Sequence, residues 1–359
     1  MSLKNINYSP RFTKYLVASR AFEQEPLIIV DIGARGGFEQ HWSLYGDEVK
    51  IIGFEADPEE CERLNQQASN SGNRFFPVAL HQNRGKKEFY VTAFPDSSGF
   101  YRADMEFWQR FPEELLFVVE KTIEIDTVDF DSFASKNHID SVDFIKLDTE
   151  GSELDILKGA IKSLRSQVLG VSIEVEFFPV HKDQPVFSDV DSFMRQMGFC
   201  LFDLATCRLA RKSLKPSYGI SVDYGQILVG DALYLRDGVN EIDSSSSLEG
   251  GWDNIKVLKL ASIMELFGLP DCAIELIQVG HRKGLLQGWD VDNLIDLLVP
   301  KCKGNTISYN KYLKNIIAPY GGDPFLRKVV LLVPSPIRHV IRDRFPKLRD
   351  LIVKILTWI

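Results

Sequence analysis

The chain reads as an α/β protein built on a doubly wound, mostly parallel seven-stranded sheet, with a C-terminal helical extension. Three observations predict it. Short β-branched apolar runs alternate with helical patterns from about residue 25 to 237. The run Leu27-Ile28-Ile29-Val30-Asp31-Ile32 leads straight into Gly33-Ala34-Arg35-Gly36-Gly37. Strand-like runs also end on acids, at Asp31, Glu55, Asp148 and Glu174, as one ligand-bearing edge of such a sheet requires.

Taken in order, a helix is expected over residues 9–23 and the first strand at Leu27–Ile32. The second strand is Lys50-Ile51-Ile52-Gly53-Phe54-Glu55, and Pro58 then opens a helix to about Ser69, since proline suits a first helical turn. Residues 74–80 read as a third strand, 87–94 as an added one, 95–99 as a turn, 118–125 as extended and 128–136 as helix. A strand at 144–148, a helix to about Leu164 and a strand at 168–175 complete the middle of the sheet. Residues 198–205 and 226–235 form a closing hairpin. The insert 101–117 carries Phe107, Trp108 and Phe111, which suit ordinary helix packing better than a lid over an acceptor.

The glycine turn narrows the chemistry. It is not the G-x-G-x-x-G dinucleotide fingerprint, and Asp31 precedes the first glycine, where a carboxylate would repel a pyrophosphate. An acid there suits an ammonium-bearing ligand. Glu55 ends the next strand about 20 residues after the glycines, the position that hydrogen-bonds a ribose in nucleotide-binding sheets. A glycine turn and a ribose acid without phosphate chemistry fit S-adenosylmethionine. A nicotinamide dehydrogenase is the competing enzyme, and the missing fingerprint argues against it. A binding module that keeps the fold but has lost chemistry is the third class.

Several blocks then point to a family. In chain order, the Asp31 turn, Phe54-Glu55-x-Asp57-Pro58, Ser97-Ser98-Gly99, Asp126-Thr127-Val128-Asp129 and Ile145-Lys146-Leu147-Asp148-x-Glu150-Gly151-x-Glu153 resemble the FkbM-type S-adenosylmethionine-dependent methyltransferases. The resemblance implies a class I methyltransferase-like fold and O-methyl transfer to a sugar or glycan hydroxyl, with polyketides and other secondary metabolites as the next acceptors. One departure stands out: Arg35 occupies the place of the family's asparagine, and either pairs with the cofactor carboxylate or points outward.

The candidate cofactor residues are Asp31, Gly33, Ala34, Arg35, Gly36, Gly37, Glu55, Ala56, Asp57, Val78, Ala79, Ser98 and Asp148. Val78 and Ala79 would lie beside the adenine, and Ser98 would bond the cofactor carboxylate or the acceptor. Two mechanisms compete for the acceptor proton. In one, a base is drawn from Glu150, Glu174, Glu176, His181 or the adjoining Asp148. In the other, Asp148 and Glu174 hold Mg2+, which lowers the acceptor pKa. Asp148 and Glu150 also stand at a helix start, where acids are favoured by the dipole alone.

A net charge of −8 argues against nonspecific nucleic-acid binding. Five cysteines without a C-x-x-C pair suggest neither a disulfide framework nor a zinc site. No apolar signal core opens the chain and no run reaches the length of a membrane span, so a cytoplasmic protein is expected. Residues 1–238 are assigned to the catalytic domain, 239–251, with four consecutive serines, to a linker, and 252–359 to a helical region with helices at 255–267, 271–279 and 294–298. The last segment, 325–359, holds eight Lys or Arg and places Leu348, Leu351, Ile352, Ile355, Leu356 and Ile359 on one helical face. Such a helix docks on its own domain, on a second subunit of a homo-oligomer or on an anionic membrane surface, the first two being favoured.

Overall fold

The computed structural model describes residues 3, 5–69, 72–244, 248–302 and 304–317. The basic C-terminal segment lies outside these residues.

The strands follow the apolar runs. They are β1 (Leu27–Ile32), β2 (Val49–Phe54), β3 (Arg74–Phe76), β4 (Ala79–Leu80), β5 (Gly85–Thr92), β6 (Val119–Val128), β7 (Phe144–Leu147), β8 (Gly170–Glu176), β9 (Phe199–Leu209) and β10 (Gln226–Arg236). The helices are α1 (Arg11–Ala18), α2 (Pro58–Ala68), α3 (Met105–Trp108), α4 (Phe130–Lys136), α5 (Glu153–Lys158), α6 (Ile161–Ser166), α7 (Phe187–Gln196), α8 (Gly238–Ser244), α9 (Asn254–Leu266), α10 (Pro270–Arg282), α11 (Val291–Leu298) and α12 (Tyr309–Ile317).

Seven strands form the main sheet in the order β3-β2-β1-β7-β8-β10-β9. β10 runs antiparallel to both of its neighbours, β8 and β9. The remaining pairs, β1 with β2 and β7, β2 with β3 and β7 with β8, are parallel. This is the mostly parallel, class I methyltransferase-like sheet. A three-stranded sheet, β4-β6-β5, stands apart from it.

Two expected elements are broken. The strand at 74–80 splits at Pro77, which has no N–H for a ladder. β3 stays in the main sheet, while Ala79 and Leu80 pair with Thr127 and Val128 of the smaller one. The helix after β7 divides at Gly159, where a Cβ would lie 2.5 Å from the His81 carbonyl oxygen. Asp131 caps the resumed helix, accepting from Lys162 N (2.8 Å), Ser163 N (3.0 Å) and Ser163 Oγ (2.6 Å).

The described residues up to Val291 form one compact unit and those from Asp292 to Ile317 belong to another. Two expectations change here. The serine-rich stretch read as linker begins as helix α8, and α9 and α10 belong to the same unit as the sheet. The reason lies in α9, which is apolar nearly all round and buried from Val257 to Leu266. Lys259 Nζ donates to Asp143 Oδ2 (2.8 Å) and to the Pro26 carbonyl (3.1 Å), at the start of β1. Glu265 accepts from the first turn of α1, at Arg11 N (2.8 Å), Phe12 N (3.1 Å) and Thr13 N (2.8 Å), and from Thr13 Oγ1 (2.9 Å). In the second unit Tyr309 N donates to Asp296 Oδ1 (2.7 Å).

The insert aromatics form a small core of their own. Phe107, Trp108 and Phe111 are buried with Phe117, Val180 and Leu228. All five cysteines are free. Among the described residues, no helix is long and apolar enough to cross a membrane.

Candidate active site

Strand register gathers the acids. Asp31 pairs with Gly53 on one side and Lys146 on the other, Lys146 with Ser172, and Glu174 with Asp231. Paired residues share a sheet face, as do residues two apart on a strand. Asp31, Glu55, Lys146, Asp148, Glu174, Glu176 and Asp231 therefore stand on one face at the carboxyl ends of the strands. The other face presents Ile32, Phe54, Leu147, Ile173 and Val175 to the main core.

Lys146 sits among these carboxylates. Its ammonium lies 3.2 Å from Asp148 Oδ2 and 3.5 Å from Asp31 Oδ1, with the Gly33 carbonyl at 3.4 Å. Burial alone would lower the lysine pKa, but Asp31 and Asp148 hold it above its ordinary value. Asp31 is 3 % exposed, and burial pushes its carboxyl up to about 6 against the pull of Lys146. One ammonium facing Asp31 is thus the protein's own.

The glycine turn is shaped by contact as well as by dihedral angle. Gly33 (φ +79°) lies against β7, where a Cβ would fall 1.8 Å from the Asp148 carbonyl oxygen. Gly36 (φ +81°) has nothing within 4 Å of its Cβ position and leaves open space beside the strand ends. Ala34 is buried, and Arg35 turns toward the end of β2. There its guanidinium bonds Asp57 Oδ2 (2.9 Å) and lies 3.6 Å from Glu55 Oε1 and 3.7 Å from Asp96 Oδ1. Arg35 is therefore a clamp over the acids at this strand end. Glu55, 6 % exposed, accepts from Asp57 N (2.9 Å), and Asp57 in turn caps α2 behind the half-buried Ala56.

Val78 is half-buried and Ala79 buried at the passage from one sheet to the other. Ser98 spends its hydroxyl within its own loop, accepting from Thr92 N (3.1 Å). That loop still closes on the site, because a Cβ at Gly99 would lie 3.1 Å from the Glu150 carbonyl oxygen and 3.3 Å from its Cβ.

Beyond β7, burial pushes Glu150 up to about 8, with Asp148, Glu153 and Asp96 adding to the shift. Burial likewise raises Glu153 to about 7 and holds Glu174 and Glu176 well above the carboxylate range. His181 is different: 2 % exposed, it is pushed down to about 4, and its Nδ1 lies 3.1 Å from Gln184 Oε1 beneath Gly151. Among the described residues no group of three or more His, Cys, Asp or Glu is arranged to hold a metal ion.

Four residues escaped the sequence reading. Lys146 and Glu153 stood inside the quoted block, and the two-residue spacing of Lys146 from Asp148 marked a shared strand face. Asp231 was visible only through the hairpin register with Glu174. Glu39, raised to about 7 by burial and set near Lys146, Asp31, Asp231 and Asp148, had no signal in its surroundings.

Residues 31–201 match the family model of the methyltransferase FkbM domain. Over this segment the chain is similar to the FkbM methyltransferases. The matched FkbM segment takes in the glycine turn, the β2 acids and the Lys146–Glu153 block. Among solved structures, the chain is similar to a magnesium protoporphyrin IX methyltransferase from Synechocystis with bound S-adenosylmethionine, at 10% identity and TM-score 0.32, over 62% of this chain and 77% of that one. It is also similar to a precorrin-6y C5,15-methyltransferase from Geobacter metallireducens, at 12% identity and TM-score 0.30, over 66% and 93%. These likenesses are loose, and the assignment rests on the family match and the strand order. No curated protein matches the chain by sequence.

Proposed function

We propose that this chain is an S-adenosylmethionine-dependent O-methyltransferase acting on a hydroxyl of a sugar or glycan. The observation that carries this reading is the acid-lined face at the strand ends, where Asp31 and Asp148 lie within 3.5 Å of Lys146 and Glu174 and Asp231 stand on the same sheet face. Such a face favours a cationic ligand, and the Gly33 and Gly36 turn gives it backbone room that side chains would fill. Bound there, S-adenosylmethionine supplies an electrophilic methyl group on a sulfonium centre.

This chain's residues would divide the work. Glu55, at the end of β2, is placed to accept from ribose hydroxyls, with Arg35 and Asp57 steadying it. Val78 and Ala79 flank the adenine side. Asp31, Glu39, Asp148 and Asp231 present carboxyls to the ammonium of the amino-acid end. Glu150 is the preferred proton acceptor, because burial raises its carboxyl to about 8, where a base can take a proton near neutral pH, and it stands two residues from Asp148. Glu174 and Glu176 line the floor and accept from further hydroxyls, which a polyhydroxylated acceptor offers and a simple alcohol does not. Asp148 and Glu174 are also the pair to which a divalent cation would be assigned. His181, neutral and enclosed, supports Gly151.

Calorimetry with S-adenosylmethionine, with and without magnesium and with NAD as control, tests the first half. A panel of sugar, glycan and polyketide acceptors with methyl-labelled cofactor tests the second. Binding of S-adenosylmethionine with label appearing on a sugar oxygen supports the reading. No binding would move the chain to the class of silent adaptors, and label on nitrogen or only on polyketides would overturn the acceptor assignment.

A further inference from the structure

Glu150 holds a backbone conformation that its side chain disfavours. Its φ is +56°, in the left-handed region, and Gly151 follows at +99°. A glycine would adopt this conformation without strain, so a glutamate here needs something to hold it.

The holding group is Glu153. Glu153, 2 % exposed, turns its carboxylate back over the preceding turn. Its Oε1 accepts from Thr149 N (2.7 Å), Thr149 Oγ1 (2.9 Å) and Gly151 N (3.4 Å), the donors on either side of Glu150. Ser152 Oγ adds a bond to Thr149 Oγ1 (3.0 Å). On the opposite side Gly99 faces the turn, where a Cβ in its place would lie 3.1 Å from the Glu150 carbonyl oxygen and 3.3 Å from its Cβ.

We infer that Glu153 is a positioning residue, whose carboxylate locks the Thr149–Gly151 turn and so keeps Glu150 in its left-handed conformation with its carboxyl beside Asp148. The inference rests on the reading of Glu150 as proton acceptor. Glu153 itself, enclosed and spent on three donors, takes no proton from the acceptor.

A melting cycle on the full chain tests the lock. Glu150→Gly should melt about 2–4 °C above Glu150→Ala, since both lack the carboxyl and only alanine keeps the strained Cβ. Glu153→Ala should lower the melting temperature of the native chain at least about twofold more than it lowers that of Glu150→Gly, because the lock has less to hold when strain is absent. Equal melting of the two Glu150 variants, or additive losses in the double variant, would overturn the inference.

A kinetic arm separates positioning from mere stability. Glu153→Ala should cut kcat about tenfold or more while leaving S-adenosylmethionine affinity within about threefold, and Glu153→Gln, which keeps a carbonyl oxygen for the same donors, should restore most of it. Failure of rescue, or affinity falling in step with kcat, would count against it. If the native chain methylates no acceptor, the proposed function fails while the melting cycle still decides the lock.

Discussion

Gly33 and Asp148 meet backbone to backbone across two neighbouring parallel strands: a methyl group at position 33 would lie 1.8 Å from the Asp148 carbonyl oxygen. The turn that leaves β1 and the turn that leaves β7 are therefore one object. Gly33→Ala should cost more than about 3 kcal/mol, since collision adds to the penalty of positive φ, whereas Gly36→Ala, with open space at its Cβ, should cost only about 1 kcal/mol. Chemical denaturation of the two variants checks the ranking, and equal losses would contradict the geometry.

Lys146 is the cation of a crowded anionic face, so its removal should hurt beyond its own contacts. Lys146→Met should destabilise the protein by about 2–4 kcal/mol, since Asp31 then stays buried without its partner. The loss should be smaller in Lys146→Met/Asp31→Asn, in which no stranded charge remains. Urea unfolding of both variants decides, and an undiminished loss in the double variant would argue against the pairing.

The site carboxyls predict an unusual pH dependence. Asp31 is raised to about 6, Glu39 and Glu153 to about 7 and Glu150 to about 8, each chiefly by burial. The folded protein then binds protons that the unfolded chain, titrating near about 4, has already released. The stability these groups contribute is complete below about pH 4 and is lost as pH rises through about 6 to 8. The melting temperature should fall across that interval, and fall less steeply in Glu150→Gln. Methyl transfer should run the other way, rising toward pH 8 as Glu150 sheds its proton. A melting temperature that climbs over the same interval would refute the assignment.

Glu265 closes the first turn of α1 from the far end of the unit. Glu265→Ala strands three backbone donors and the Thr13 hydroxyl, and should cost about 2–4 kcal/mol. A chain cut at residue 251 should fail to give the cooperative unfolding of the intact protein. Circular dichroism melts check both, and a stable, cooperative truncated chain would show that α9 is dispensable.

Where local chemistry determined structure, the sequence was readable. β1, β2, β7 and β8 follow from short apolar runs, and their ends announced Asp31, Glu55, Asp148 and Glu174. Misreadings arose where a neighbour distant in sequence decides. Position 159 has room only for glycine because the His81 carbonyl lies against it, and α9 belongs with the sheet because Lys259 finds Asp143. The sequence allows Arg35 two roles, and its actual partners, Asp57, Glu55 and Asp96, are assembled only by the fold. Pro77 is the exception, since its missing N–H could have split the strand at 74–80 from sequence alone.

The bonds from Glu265 to Arg11, Phe12 and Thr13 span more than 250 positions of the chain, and they impose an order of events during synthesis. While the ribosome is still making the sheet, the start of α1 has no acceptor for its free N–H groups, and Asp143 waits without Lys259. The start of α1 therefore meets its acceptor only after most of this unit has been made. A nascent chain stalled before residue 265 should stay open to proteases at its N-terminus, and one released beyond it should close at both ends together.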